Sequence, residues 1–235
     1  MLTASLPPAL VVALARVAGR GAGTSRTSEA LSVRYRDAPE SGPVARTEAE
    51  VAAYAAARLP ATYAAIRVAL AELAARAPGF EPATLLDLGA GPGTALWAAA
   101  GVWPALERAT AVEAEPAMAA LGGELARAGP AVVSGATWID GTLPAAVPDT
   151  PSDLVTIGYV LAELDEAAQA ETLDRAWRQA EALVVVEPGT PAGYRRVIAA
   201  RDRLLAAGAT LAAPCPHERA CPWAGTDEWL SLIHI

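Results

Sequence analysis

Three acids and a run of glycines are the residues of this chain whose types and spacing can do chemistry. Asp87 follows the apolar pair Leu85-Leu86 and leads into Gly89, Gly91 and Gly93 at alternate positions. Glycine lacks a Cβ, so such a turn takes left-handed φ values and lets a ligand approach the backbone. A dinucleotide fingerprint places glycines at offsets 0, 2 and 5 around a pyrophosphate. Here the fifth offset from Gly89 is Thr94, so Asp87, Gly89, Ala90, Gly91 and Gly93 suit a nucleoside cofactor of another kind. Glu113 lies beyond the loop near the usual offset of about 20 residues, where a carboxylate accepts hydrogen bonds from ribose hydroxyls. Glu115, two residues on, reads as a solvated acid at a helix start, where the helix dipole favours it. Asp140 either contacts an adenine amino group or opens an ordinary Asp140-Gly141 turn. Tyr159 ends a later apolar run, Asp153 to Tyr159, and is the remaining candidate at the cofactor.

A second group lies late in the chain. Cys215 and Cys221 are the only cysteines, six apart, each followed by proline, within Ala213 to Trp223. Cys-Pro endings recur at iron–sulfur ligands. Two thiolates do not close a tetrahedral site, and His217 is a third candidate ligand. The spacing alone leaves metal binding and a disulfide open. Upstream, the helical stretch Arg195 to Ala207 carries Arg195, Arg196, Arg201 and Arg203, either a phosphate-facing surface or a solvated face.

The elements that must position these residues alternate. Ala83–Leu88, Ala109–Glu113, Ala131–Trp138, Asp153–Tyr159 and Ala182–Glu187 read as strands, with Ala209–Ala213 as a sixth. Helices are expected from Thr94, through Met118 and Leu121, and over Glu166–Ala180. Alternation of this kind gives a parallel sheet with helices on both faces, and its ligands sit at the carboxyl ends of the strands. Before residue 80 the chain reads as helical. Leu10, Leu14 and Val17 share a face of a packing helix, and a break follows over Gly19–Ser28. Leu31–Arg36 leads into a Pro39/Gly42/Pro43 turn. Glu48–Arg58 is a helix that Pro60 resets, and Tyr63, Ile66, Leu70 and Leu73 then form an amphipathic stripe. Tyr54 and Tyr63 read as packing residues. The division expected is a helical extension over 1–80 and an α/β cofactor domain over 81–235.

Composition narrows the partners. The chain has 235 residues, is 53% hydrophobic and can bury a real core. All 18 basic residues are arginine, and the net charge of −8 argues against non-specific coating of nucleic acid. No run is long and apolar enough to span a bilayer, and Leu6–Val17 lacks the charged start of a secretory signal. A cytoplasmic location is expected, with neither membrane nor DNA as a partner.

The pattern Asp87-x-Gly89-x-Gly91-x-Gly93 resembles motif I of the class I methyltransferases, which bind S-adenosylmethionine (SAM). Further blocks resemble one family, the small-ribosomal-subunit methyltransferase-like proteins, whose mitochondrial members are assembly factors. They are Leu31-Ser32-x-x-Tyr35-Arg36, Ala53-Tyr54-x-x-x-Arg58-Leu59-Pro60-x-Thr62-Tyr63, Tyr159-Val160-Leu161-x-Glu163-Leu164, Glu187-Pro188-Gly189-Thr190-Pro191-x-Gly193 and Ala213-Pro214-Cys215-Pro216-His217. The resemblance implies a Rossmann-like doubly wound SAM-methyltransferase fold and association with the small ribosomal subunit or its rRNA. It also implies an iron–sulfur cluster on four cysteines, with Cys215 and Cys221 as the first two ligands. The family would continue after Trp229 with Cys-His-Phe, whereas here Leu230 to Ile235 follow, and a C-terminally incomplete chain is expected.

Three functions compete. One is a SAM-dependent methyltransferase acting on small-subunit rRNA. Another is a non-catalytic assembly factor that keeps SAM and a cluster. The last is a small-molecule methyltransferase. The fourth strand ends in Gly158-Tyr159-Val160, without the Asn/Asp-Pro-Pro-aromatic signature of amino-group base methylases, and no cysteine nearby offers a covalent nucleophile. Methyl transfer from a sulfonium can run largely on alignment, so the catalytic residues stay unassigned.

Overall fold

Five short runs between residues 84 and 186 form one five-stranded sheet, in a computed structural model that describes residues 5–20, 48–215, 217–226, 228 and 229. The side chains of residues 20, 48–50, 53 and 54 are not among those described. The expectations for Leu31–Arg36, the Pro39/Gly42/Pro43 turn, Tyr54 and residues 230–235 therefore lie outside the described residues, as does most of the break at 19–28.

The order of elements is α1 (Pro8–Arg20), α2 (Glu48–Arg76), β1 (Thr84–Leu88), α3 (Thr94–Val102), β2 (Arg108–Glu113) and α4 (Pro116–Ala126). Then come α5 (Ala131–Ser134), β3 (Thr137–Asp140), β4 (Ser152–Gly158), a 3-10 turn (Leu161–Glu163), α6 (Glu166–Gln179), β5 (Ala180–Val186) and α7 (Pro191–Ala206). The strands run in the order β3-β2-β1-β4-β5, all parallel. The chain works outward from β1 to β3 and then returns to β4 on the other side of β1. That reversal opens a crevice at the carboxyl ends of β1 and β4. β5 pairs with β4, and among the described residues no strand lies on its other side.

Side chains alternate across the sheet and build a core on each face. Leu85, Ala111 and Leu154 pack with Leu10, Leu14 and Val17 of α1, with Leu59, Tyr63, Ile66 and Leu70 of α2, and with α3 and α4. Leu86, Leu88, Val112, Val155 and Ile157 face the other way, onto Leu173 and Ala176 of α6 and Ala200 of α7. α3 buries Ala95, Leu96, Trp97, Ala98 and Ala99, so it is enclosed nearly all round. Its alanines bring it close to the sheet and to α2.

Three expectations are corrected. Pro60 does not reset the helix, because α2 runs through it from Glu48 to Arg76. An interior proline costs about 3 kcal/mol. Here Leu59, Tyr63, Ile66 and Leu70 are all buried, and full burial of one such side chain contributes roughly 1.5–3 kcal/mol. Packing therefore wins, and the Thr62 hydroxyl lies 3.2 Å from the carbonyls of both Arg58 and Leu59. The strand expected over Ala131–Trp138 is a turn of helix, Ala131–Ser134, before a strand that starts only at Thr137. Pro130 holds the helical entry, and its carbonyl accepts from Val133 and Ser134 N–H. Ala209–Ala213 is no sixth strand. Ala209 N–H returns to the Leu204 carbonyl, Leu211 N–H donates to Glu218, and Pro214 has no N–H to give a ladder.

α7 begins earlier than expected. Thr190 caps it, accepting from Gly193 N–H at 3.1 Å, and Pro191 occupies the first turn. A Cβ on Gly193 would collide with the Pro188 carbonyl, which explains the glycine in the Glu187–Gly193 block.

Candidate functional site

β1 delivers Asp87 to the crevice with only 2% of its surface exposed. Its register partner on β4 is Thr156, whose hydroxyl donates to Oδ1 at 2.7 Å. Oδ2 is buried without a partner. Burial pushes the Asp87 carboxyl up to about 7, opposed by the Thr156 bond and reinforced by the charge of Glu113.

The glycine loop is tied to β2 beside it. Gly89 and Ala90 N–H both donate to the Val112 carbonyl at 2.9 Å. The Glu113 carboxylate then accepts from Gly91 N–H at 2.6 Å and from Glu115 N–H at 2.8 Å. Burial raises its pKa, opposed by bonds from the Glu115, Gly91 and Ala114 amides. The acid expected to read a ribose is thus fixed in place by the loop itself. Gly93, also at positive φ, caps α3.

The first two glycines serve different ends. At Gly89 (φ +70) an added Cβ would stand 2.5–2.8 Å from three atoms of Val160, so this glycine lets β1 and the β4 exit pack together. At Gly91 (φ +52) an added Cβ meets nothing within 4 Å. Gly91 faces open space.

That space is a cavity of about 210 Å³. Asp87, Gly89, Ala90 and Gly91 form one wall, Glu113 to Glu115 another, and Leu59, Thr62 and Ile66 of α2 a third. Tyr159 lines it from the β4 end, in a left-handed conformation (φ 62) rare for a bulky residue. Asp140 is not among the lining residues. It is exposed at the end of β3, while its neighbours Gly141, Thr142 and Leu143 reach the cavity. Four acids line the cavity, Asp87, Glu113, Glu115 and Glu163, and among the described residues no arginine or histidine does. Sequence reasoning assigns no role to Thr156 or Glu163. The only signal for either is that Glu163 falls in the Tyr159–Leu164 block.

A nucleoside cofactor fits these residues. The loop presents backbone at an open glycine, a pinned carboxylate stands opposite, and a buried acid oxygen lacks a partner. A second cavity of about 440 Å³ lies between α2, β5 and residues 209–214, walled by side chains such as Val68, Phe80, Val184 and Leu211. Glu187 reaches it, 1% exposed, with Arg196 donating to its Oε2 at 2.7 Å.

The late cysteines sit apart, over the start of α7. The Cys221 thiol is 3.0 Å from the Tyr194 hydroxyl, and Trp229 Nε1 donates to the Gly189 carbonyl at 3.3 Å. Burial raises the Cys221 pKa, but bonds from Tyr194, Trp223 and Ala224 and the charge of Arg201 leave it lowered overall. Both cysteines are free. Among the described residues no group of three or more His, Cys, Asp or Glu side chains could hold a metal. A four-iron cluster takes four thiolates, so the described residues do not fit one.

The arginines of α7 are largely engaged within the chain. Arg196 binds Glu187, Arg201 binds Asp202 and the Arg219 carbonyl, and Arg203 grips both oxygens of Asp174 at 2.7 and 2.6 Å. Of the four, only Arg195 stands exposed without a partner among the described residues. A phosphate-facing helix is not what these contacts build.

The chain is 36% identical over 193 residues to the human mitochondrial ribosome assembly protein METTL17, covering 75% of this chain and 42% of that protein. It therefore spans less than half the length of that relative. A solved structure assigned as an O-methyltransferase, from Nostoc punctiforme, superposes with a TM-score of 0.50 at 18% identity, over 68% of this chain and 49% of that one. With the parallel order of the sheet, this shows the class I methyltransferase fold. A family model matches residues 48–233, which takes in the glycine loop, Glu113, Glu163 and both cysteines. The chain belongs to the family described as mitochondrial small ribosomal subunit Rsm22.

Proposed function

We propose that this chain is a SAM-binding, methyltransferase-like protein that acts on or with the small ribosomal subunit and its rRNA. The observation that carries the cofactor is the joined pair of Gly91 and Glu113, an open left-handed glycine hydrogen-bonded to the acid opposite it. The subunit is supported by the family and by the ribosome-assembly relative. When bound, SAM supplies a methyl group on a sulfonium. The chain's own residues do the holding: the loop amides approach the ligand, Glu113 receives ribose hydroxyls, and α2 covers the cavity from water. Asp87, its carboxyl pushed up to about 7 by burial, holds the loop's base against β4 through Thr156. Action in the cytoplasm goes with this reading.

The same fold serves an assembly factor without turnover. The β4 exit favours that version, since Gly158-Tyr159-Val160 brings no acceptor-binding signature to the cavity.

Calorimetric titration with SAM tests the cofactor, with Gly91→Arg as control. Because the space beyond Gly91 is open, the arginine enters the cavity rather than the core. The expected result is saturable binding by the wild type, lost in a variant that still folds. Equal binding by both would remove the loop from the site. Co-sedimentation with small subunits then separates the roles. Gly91→Arg protein that still associates with subunits supports docking independent of the cofactor.

A further inference from the structure

Glu163 has no part in the roles above. It closes the 3-10 turn after β4, with its N–H donating to the Val160 carbonyl at 3.0 Å. Its side chain lines the 210 Å³ cavity, partly exposed and partly desolvated by its surroundings, with no hydrogen-bond or ion-pair partner among the described residues. The charges that act on it are acids, Glu113 from β2 and Glu187 from the end of β5. On α7, which packs against this turn, Arg196 is already held by Glu187. Also in the cavity wall, Asp87 Oδ2 is buried and unpartnered, and Glu115 lines it from the entry to α4.

A cavity lined, among the described residues, by four acids and no cation has an unmet demand for positive charge. SAM and its thioether product share adenosine, ammonium and carboxylate, and differ in the charge on sulfur. We propose that Glu163 is the charge-reading residue of this pocket, making it favour a sulfonium cofactor over the uncharged thioether. The inference rests on the SAM reading above. Its consequence is directional, because a ligand that has given up its methyl group also gives up its attraction to Glu163. Partial burial, then Glu113 and Glu187, push the Glu163 carboxyl up to about 7. Its charge therefore grows as pH rises through about 7 and is largely lost by pH 5.5.

The test is calorimetric titration at both pH values with SAM, with S-adenosylhomocysteine, and with the analogue that carries an amine in place of the sulfonium. The wild type is expected to prefer both cationic ligands by about tenfold at pH 7.5, the size of one partly screened charge pair. That preference shrinks at pH 5.5. Asp87 titrates in the same range, so the variants decide. Glu163→Gln should lose the preference at pH 7.5 with its affinity for the thioether unchanged. Glu115→Gln, which removes one carboxylate from the lining at the entry to α4, should keep it. Retained preference in Glu163→Gln, or equal loss in Glu115→Gln, overturns the inference while leaving the cofactor reading intact. No binding of any ligand by the wild type would overturn both.

Discussion

Asp87 is shielded from water with one oxygen bonded and the other bare, and this gives the protein an uncommon pH dependence. Its folded pKa, about 7, lies above the ordinary value of 3.8. A raised carboxyl keeps its proton in the folded state after the unfolded chain has released it, so stability falls as pH rises from about 4 through 7. Glu163, also raised to about 7, adds to the same slope. Asp153 and Asp174 have lowered values, and their contribution is lost only as pH falls below the ordinary carboxylate range. Asp87→Asn keeps the shape and the Thr156 contact without the ionisation. Urea unfolding between pH 4 and 8 is expected to show a shallower fall for this variant and a higher stability than wild type at pH 8. An unchanged slope would mean that Asp87 is not the group responsible. The acid itself was legible, since Asp87 stands at a strand end before glycines. Its partner was not. Thr156 lies 69 residues away, and only the β1–β4 register brings the two together.

Among the elements, β1, β2 and β4 could be read because each is a short apolar run ended by a polar residue or glycine. β3 misled because Ala131-Val132-Val133 has strand composition, while Pro130 ahead of it and Gly135 behind it confine it to one turn of helix. α2 misled in the opposite sense. Local rules stop a helix at Pro60, but the residues that carry it past that point are identifiable only once the sheet they cover is known. Pro60 itself is exposed. Pro60→Ala therefore restores a donor for the carbonyl four residues back without disturbing packing. The gain of about 3 kcal/mol is offset by up to about 1 kcal/mol of lost unfolded-chain restriction. A net stabilisation of about 2 kcal/mol is expected in denaturant titration. Destabilisation would show that the turn around Thr62 depends on the proline. Of the cofactor site, the loop and Glu113 were legible as motif and offset. Glu163 was not, because an acid in a turn has no visible purpose until a cavity appears beside it.

At the scale of the whole molecule, the helical segment before residue 80 and the sheet after it share a core. Leu10 of α1 has no exposed surface and lies in the same cluster as Leu85 and Leu154. Leu10→Ala is expected to cost about 2–5 kcal/mol. Far-UV circular dichroism and the fluorescence of buried Trp97 should still report a single coincident transition. Two separated transitions would mean that α1 unfolds independently of the sheet. Among the described residues the outer side of β5 carries no partner strand, only the 209–214 segment across a cavity, and this makes concentration a variable to watch. Ala182 to Val186 is five uncharged apolar residues with a row of backbone groups that no described strand satisfies. Such a border is a template on which another extended chain can crystallise one strand at a time, with no lysine or proline along it to interrupt the growth. That border is two strands away from β1 and its glycine loop, although its last residue, Val186, accepts from Tyr159 N–H, so solubility is best engineered toward the Ala182 end.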